Sequence, residues 1–505
     1  MTDPHYLKKE DGDYLLQENG GKIIIDGEAY TGTVVIFGNG IITILSTKKL
    51  SAIFADWEEA VNASTREWEL YTEIYFDGDS SNPVTFDSSS LIGWDLLEEA
   101  FADNNTPIGA VSSNEFILTL DNSDGYFTST NTSSPYYGKL LPNLLVKSQL
   151  LIKIDDIYQY IDLGQYRTND WSASSNSFEA EVVCHDDVYS LGQRKIPQIP
   201  AIQSVNLQFM WKMLLQGLAL TISDFEIDEF TQAVSIGWLL NGNVRDNFQL
   251  LTERGAGALY GERDSTIKVK SYLYPPTSDY SWTDSNQLIT VDMPQSYLNV
   301  CSRVKVNYYQ PYVSDTTTLL SLTYKVPSGG TTISRLQVSS GPVGIFESIN
   351  IIDAVNVTLD SFSMGMWDVT MELGNSGDDE EEITIELLGK KIEYNVSDVT
   401  VENTDLYNTI GDVTLEIDNH LVQSKSEATA HANYVLQLVT DPIAYITIGA
   451  RGDPFIKLTD TMSINYTNGN IDNLDIIPTR LHHIFRDGLS VEVTGIKKSI
   501  RAYGG

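Results

Sequence analysis

The stretch Ala444–Tyr466, AYITIGARGDPFIKLTDTMSINY, decides how this chain is read. Its opening, Ala444 to Ala450, alternates over the length of one strand. Gly452-Asp453-Pro454 then turns a corner, because proline fixes φ and glycine reaches backbone conformations closed to other residues. Leu458-Thr459-Asp460 marks a turn, and a second strand follows. Just upstream, Ser424-Lys425-Ser426-Glu427 fits a capping box opening a helix that runs to about Val439. Ala428, Ala432, Val435, Leu436 and Val439 fall on one face of it, and the small alanines suit close packing against a sheet. Downstream, LHHIFRDGLSVEVTGI (Leu481–Ile496) reads as an antiparallel strand pair. The order is helix, strand, corner, turn, strand, hairpin, and nothing in it has the residue set of an active site.

Working outward, residues 1–65 form a separate small unit. Lys22–Ile25, Thr33–Phe37 and Ile41–Leu45 are short β runs, punctuated by Asp26-Gly27 and Gly38-Asn39-Gly40. Ile53, Trp57, Ala60 and Val61 have helical spacing and predict a helix within Ala52–Trp68. From Arg66 to about Pro200 the pattern is a compact antiparallel β domain. Its predicted strands are Glu73–Phe76, Glu115–Leu120, Leu150–Ile154, Gln159–Leu163 and Phe178–Val183. Asp87–Leu91 and Gly109–Val111 flank an irregular acidic stretch, and Asn122–Gly125, Asp155-Asp156 and Ser174–Ser177 are turns. An α/β piece follows. Val205–Leu218 is predicted helical from Val205, Phe209, Met213, Leu214 and Leu218. Val244–Arg254 is a second helix with Phe248 and Leu251 on one face, stopped by Gly255 and Gly257. Ala258–Tyr260 and Thr266–Tyr272 then pair across Gly261–Asp264. Strands resume at Leu298–Tyr309. Residues 326–405 read as an inserted β domain that projects from the body. No repeat of solenoid period is present.

Of the 505 residues, 42% are hydrophobic and 20% charged, so the chain can bury sizeable cores. Its 27 tyrosines fall in short alternating runs, which favours strands. Lysine and arginine number 32 against 69 acids, a net charge of −37. That balance argues against a surface built to hold nucleic acid, which needs clustered cations, and against adhesion to anionic membranes. It fits solubility, or a surface that sits near DNA without holding it. Two distant cysteines, Cys184 and Cys301, make neither a disulfide framework nor a zinc spacing. The first residues, MTDPHYLKKEDGDYLL, lack the apolar core of a signal peptide, and no run has transmembrane length. The expectation is a soluble protein made in a cytoplasm.

Residues that could carry chemistry each have a plainer reading. His185-Asp186-Asp187 places an acid beside a histidine, but no matched nucleophile accompanies it. His482 and His483 lie in a predicted strand, where neighbours point to opposite faces and do not share one metal. Asp121–Gly125 is similar to a calcium loop. With Gly125 at the sixth place, however, Leu120 stands first and Asn131 twelfth, where acids are needed, so it reads as a hairpin turn. Arg451-Gly452-Asp453 matches an adhesion tripeptide at a corner set by Pro454. The acid run Asp378–Glu382 reads as a solvated loop. Asn62-Ala63-Ser64 and Asn356-Val357-Thr358 are sequons without a signal peptide to give them meaning. Carboxylate pairs of the glycosidase kind are uninformative in so acidic a chain.

Three stretches carry a family resemblance. Ile108–Asn122, IGAVSSNEFILTLDN, resembles the entry strand of phage tail hub proteins, with an apolar-Gly step, a polar bend and an alternating strand ending in Asp-Asn. Tyr160–Leu191 is similar to the late strands of their first barrel, with Asp186–Leu191 as its exit. The C-terminal stretch quoted first resembles the end of the hub domain. The helix and hairpin between Leu207 and Tyr272 fit the small domain threaded between two barrels. Thr459 stands where the family usually carries glycine before Asp460. Neither 1–65 nor 326–405 has a clear counterpart.

The resemblance implies a mainly β chain with a small α/β part: two tail-tube-like β-barrels, a helical and hairpin domain between them, and an inserted β domain. The implied boundaries are 1–65 for an N-terminal extension, 66–200 for the first barrel, and 201–297 for the α/β domain. The second barrel takes 298–325 with 406–505, and the insertion 326–405. It further implies a homotrimeric, non-enzymatic virion protein, made in the host cytoplasm. This hub would adapt a sixfold tube to a threefold tip. Its partners would be the tail tube or distal tail protein, baseplate components and a spike or fibre, while viral DNA passes unbound. No catalytic, cofactor or metal residue is expected, and lytic activity is expected of a partner. Competing readings are a receptor- or carbohydrate-binding tail protein, a distal tail or baseplate ring protein, and a secreted glycosidase.

Overall fold

The computed structural model describes residues 59–63, 66–77, 82–100, 109–154, 157–173, 178–271, 278–284, 286–293, 300–338, 341–440, 445–458, 460–486 and 488–497, with six short strands before them. The turns predicted at 26–27, 38–40, 155–156 and 174–177, the start at Leu298 and the position of Thr459 lie outside the described residues. Contacts divide the chain into two compact units: Met1–Glu69 with Leu150–Ile161, and Leu70–Gln149 with Asp162–Gly505.

In the first unit, Leu7–Lys8, Tyr14–Glu18, Lys22–Ile25 and Glu28–Tyr30 make an antiparallel meander, and Val34–Ile36 pairs with Ile42–Ile44. Of the helix predicted within Ala52–Trp68, the described part is 59–62, while Trp68 opens the strand Trp68–Ile74. The aromatic and β-branched run that starts at Trp68 favours the pleat over the helix there.

The second unit is mainly β with a small α/β part. Its main sheet runs in the order Leu288–Asp292, Tyr445–Ala450, Leu489–Lys497, Ile471–Phe485, Leu91–Glu99, Glu115–Asp121, Glu179–His185, and ends, within this unit, on 162–173, 145–149, 70–74 and Val84–Asp87. The quoted C-terminal order is present: helix Lys425–Val439, strand Tyr445–Ala450, corner, strand Thr461–Tyr466, and the hairpin Ile471–Phe485 with Leu489–Lys497. Ser424 caps the helix by accepting from the Glu427 amide at 3.2 Å. Ala428, Ala432, Val435, Leu436 and Val439 are all buried, against a core that includes Val304, Val306 and Ile417.

Of the acidic stretch between Leu91 and Gly109, residues 101–108 lie outside the described residues, and the part up to Glu99 is regular. Leu91–Glu99 is a nine-residue strand with Leu91, Gly93, Trp94, Leu96 and Glu98 turned inward. The alternation was hidden because an acid occupies one of the buried places. This strand is the splice between the first β region and the C-terminal one, pairing Glu115–Asp121 on one edge and Ile471–Phe485 on the other. Gly93 permits the close approach, since a Cβ there would collide with the Phe485 carbonyl. Trp94 stacks on Phe485 with centroids 6.0 Å apart.

In the α/β piece, Val205 belongs to a strand, Ile202–Asn206, and not to the helix. Asn206 caps Leu207–Gly217 by accepting from the Phe209 amide, which fixes where the helix starts. The buried face is therefore Leu207, Met210, Trp211, Leu214 and Leu215, and Phe209 is exposed. The second helix, Val244–Gly255, buries Phe248 and Leu251 as predicted, and ends on Ala256 in the left-handed region at φ 49°. The hairpin Gly257–Gly261 with Ile267–Ser271 follows.

Within 317–402, two sheets pack face to face around Leu319, Val369, Met371, Leu373, Ile383, Ile385 and Leu387. The turn joining Val357–Met364 to Asp368–Asn375 is buried in the α/β core. Met366 sits within that core, its amide donates to the Ile199 carbonyl at 2.8 Å, and Trp367 Nε1 donates to the Leu239 carbonyl at 2.7 Å. Arg335 adds a bond to the Ile196 carbonyl at 2.7 Å. This β module is strapped to the body beside the point where the chain enters and leaves it, at Val313 and Ile392. A strand of 22 residues, Glu381–Glu402, belongs to the module in its first half and pairs with Arg303–Val313 in its second.

Candidate functional site

The most unusual chemistry in the chain is a buried ion cluster. Glu98 projects inward from Leu91–Glu99, Arg263 from the turn of the α/β hairpin, and His483 from Ile471–Phe485. Glu98 is 4% exposed and His483 1%. Arg263 Nε donates to Glu98 Oε1 at 2.9 Å, and Nη2 donates to Glu98 Oε2. Nη1 donates to the Pro454 carbonyl, at the corner of the quoted stretch. His483 Nε2 lies 3.2 Å from Arg263 Nη2 and 3.5 Å from Glu98 Oε2. This fork-to-fork geometry is the strong form of an ion pair. Burial alone would raise the Glu98 carboxyl. The Arg263 charge and hydrogen bonds from His483 and Arg263 outweigh it and hold the group at about 2. Burial, aided by the Arg263 charge, keeps His483 below its ordinary range and neutral.

A second polar layer adjoins it. The Asn114 amide donates to Asp186 Oδ2 at 2.9 Å, Asn114 Nδ2 to the Gly261 carbonyl at 2.7 Å, and Asn114 Oδ1 accepts from the Glu99 amide at 3.2 Å. Asp186 also caps the short helix Asp187–Gly192 through the Tyr189 amide. Gly261 is required, because a Cβ there would strike the Asp186 carboxylate. Burial, with Asp187 adding to it, pushes Asp186 up to about 7 against the pull of its backbone donors. Asn114, Gln165, Tyr166, Asp186 and Gly261 line a small cleft.

An acid that titrates near neutrality in a cleft fits general acid–base chemistry. Here both oxygens of Asp186 are taken by backbone amides, from Asn114 and Tyr189. His185 does not orient it, stacking instead on the Tyr189 ring with centroids 4.3 Å apart. The arrangement clamps three chain regions together.

The remaining candidates sit in local turns, strands and hydrogen bonds. Asp121 and Asp124 each accept from a backbone amide two residues on, Ser123 and Tyr126, and Gly125 has φ 74°. Gly452 has φ 101°, and Asp453 Oδ1 accepts from the Phe455 amide, so the adhesion tripeptide is a fixed corner. Glu381 of the acid run accepts from the amides of Val355 and Asn356. Cys184 and Cys301 form no disulfide. His482 and His483 differ in burial, as strand neighbours should. Among the described residues no group of three His, Cys, Asp or Glu side chains is placed to hold a metal. No helix among them is long and apolar enough to cross a membrane. Reading the sequence missed Glu98 and Arg263 altogether. The available signal was Glu98 itself, an acid at an inward position of Leu91-x-Gly93-Trp94-x-Leu96-x-Glu98.

No family model and no curated protein matches the chain. Solved structures that match it include tail proteins, two of them from prophages, and a component of the type VI secretion system. The 43 kDa tail protein of prophage MuSo2 from Shewanella oneidensis aligns at 8% identity and TM-score 0.47, over 86% of this chain and 99% of that one. A tail protein from Neisseria meningitidis aligns at 10% identity and TM-score 0.47, over 86% and 98%. A type VI secretion component of E. coli, described as similar to the T4 tail proteins gp27 and gp5, aligns at 8% and TM-score 0.37, over 81% and 73%.

Proposed function

We propose that this chain is a structural virion protein: a trimeric hub at the tail tip or baseplate that adapts a sixfold tube to a threefold tip and lines the exit channel for DNA. The observation that carries the reading is the splice. The stretches that resemble hub proteins in sequence, the entry strand after Ile108 and the C-terminal run, come together in one sheet through Leu91–Glu99 and the Glu98–Arg263–His483 cluster. On this reading 66–200 builds one barrel, 298–325 with 406–505 the other, and 201–297 lies between them. The cluster serves rigidity and not catalysis. Its neighbours would be the tube or distal tail protein above and a spike or fibre below. Part of the −37 charge would face the lumen, where like charge lets DNA slide past.

Native mass together with negative-stain images of the purified protein tests this reading. Three copies in a ring with a central hole are expected. A sixfold ring would transfer the chain to the distal tail or baseplate ring proteins. A monomer that does not dock on purified tail tubes would end the hub reading.

A further inference from the structure

Arg303–Val313, the second half of Glu381–Glu402, and Thr414–Asp418 form a sheet with one face covered by the helix Lys425–Val439. Residues directly opposite one another share a face, so the other face can be followed rung by rung. On the first rung Arg303 lies between Glu402 and Thr414, and it pairs with Glu402 and Asp412. On the next, Lys305 lies between Thr400 and Glu416 and reaches Glu416 at 2.9 Å. On the third the cation gives way to Asn307, flanked by Asp398 and Asp418. Asn307 Nδ2 donates to Asp418 at 3.2 Å and Tyr309 Oη at 2.6 Å, but among the described residues no lysine or arginine forms an ion pair with either acid. The fourth and fifth rungs are Tyr309 with Val396, and Pro311 with Tyr394.

The rings on these last rungs are already arranged. Tyr394 lies on Trp238, centroids 6.0 Å apart and planes 11° apart, and Trp238 lies on His420 at 4.2 Å and 19°. Tyr309 stands edge-on to Tyr394 at 5.0 Å. Trp238 and His420 are buried, whereas Tyr394 is 47% exposed and Val396 50%. The stack therefore ends in a half-exposed ring, held by Trp238 and flanked by Tyr309. Burial pushes His420 down to about 4, so it brings no positive charge to the patch at neutral pH.

We propose that this face docks an arginine-bearing segment of a partner protein, its guanidinium stacked on Tyr394 and paired with Asp398 or Asp418. Lys305, one rung away, feels both carboxylates but is paired with Glu416, so two acids without a close ion pair lie near a half-exposed, electron-rich ring and are complementary to a flat cation that can stack and pair at once. Guanidinium does this better than ammonium, being planar and weakly hydrated. The inference does not depend on the tail reading.

The test uses the full chain and an immobilised tetra-arginine peptide, read by surface plasmon resonance at about 0.15 M salt. Tetra-lysine and tetra-glutamine peptides serve as comparisons. Tighter binding of arginine than of lysine is expected, with Tyr394→Ala weakening it about tenfold at unchanged net charge. Asp398→Asn with Asp418→Asn should weaken it similarly. Asp378→Asn with Asp379→Asn, an equal charge change on the distant acid run, should leave it nearly unchanged. The two site variants are independent, so misfolding of one, visible by circular dichroism, leaves the other decisive. Equal binding of the arginine and lysine peptides, with every variant alike, would reduce the effect to diffuse charge and overturn the proposal. So would absence of binding, or Tyr394-dependent binding of a neutral polysaccharide.

Discussion

Replacing Glu98 by glutamine keeps the shape of the buried cluster and removes its negative charge. Arg263 would then lie buried against Pro454 and a neutral amide, with a protonated guanidinium and no counter-ion. Removing one partner of such a pair typically costs about 3–5 kcal/mol, because the other charge stays buried and uncompensated. The loss should fall on the splice, so the useful assay is local. Hydrogen exchange of the amides in Leu91–Glu99 and Ile471–Phe485 should quicken more than that of the helix Lys425–Val439. Denaturant unfolding gives the overall size. The double variant Glu98→Met with Arg263→Met removes both charges together and should recover much of the loss, since apolar packing often replaces a buried pair without penalty. The pH dependence has a definite sign. Glu98 has its folded pKa lowered to about 2 from an ordinary 4.5, so its contribution is complete above about 4.5 and is lost as pH falls through 2. If Glu98→Gln unfolds within about 0.5 kcal/mol of the parent and exchange at the splice is unchanged, the cluster is not what holds these strands.

Asp186 slopes the other way. Its folded pKa is raised from 3.8 to about 7, so its contribution is greatest below about 3.8 and is lost as pH rises through 7. Asp186→Asn keeps an oxygen for the Asn114 amide and should flatten a fall in stability of up to about 1.4 kcal/mol per pH unit between those values. Thermal melts across that range would show it, and an unchanged slope would count against the assignment. Met366→Ala empties the plug that fixes the β module to the α/β core and should cost about 2–5 kcal/mol. Limited proteolysis should then cut around 339–342 or 364–368 sooner, and an unchanged pattern would mean that Trp367 and Arg335 suffice.

Much of the fold could be read locally. The capping serine, the five buried positions of the last helix and the Gly452 corner are short-range features, and each is where local patterning puts it. The mainly β class follows from alternation alone. Failures came where a tertiary partner overrides the local pattern. Glu98 looks like a surface acid until Arg263, brought in from another part of the chain, makes its burial tolerable. Phe209 looks like a core residue until the Asn206 cap fixes the start of the helix and turns Phe209 to solvent. The strap at Met366 is equally illegible, because a hydrophobic turn between two strands does not announce which core will receive it. The ion cluster carried one visible trace, an acid in an inward place. The rung that lacks a cation at Asn307 carried none, since only strand pairing sets Asp398 beside Asp418.

The long strand Glu381–Glu402 also defines a route for mechanical load. Its first half is tied into the β module and its second half is paired, residue by residue, with Arg303–Val313. A pull on the module directed along this strand would bear on all the rungs of that ladder in shear, so they would have to fail together. A pull across the strand would open them singly, like a zip. The strap at Met366 and Trp367 holds the module's base, beside the crossing of the long strand at Ile392, and stiffens it against the swing that would turn the first kind of pull into the second. Whatever attaches to this module, force reaching it along the strand is delivered to the core beneath the last helix before any single contact gives way.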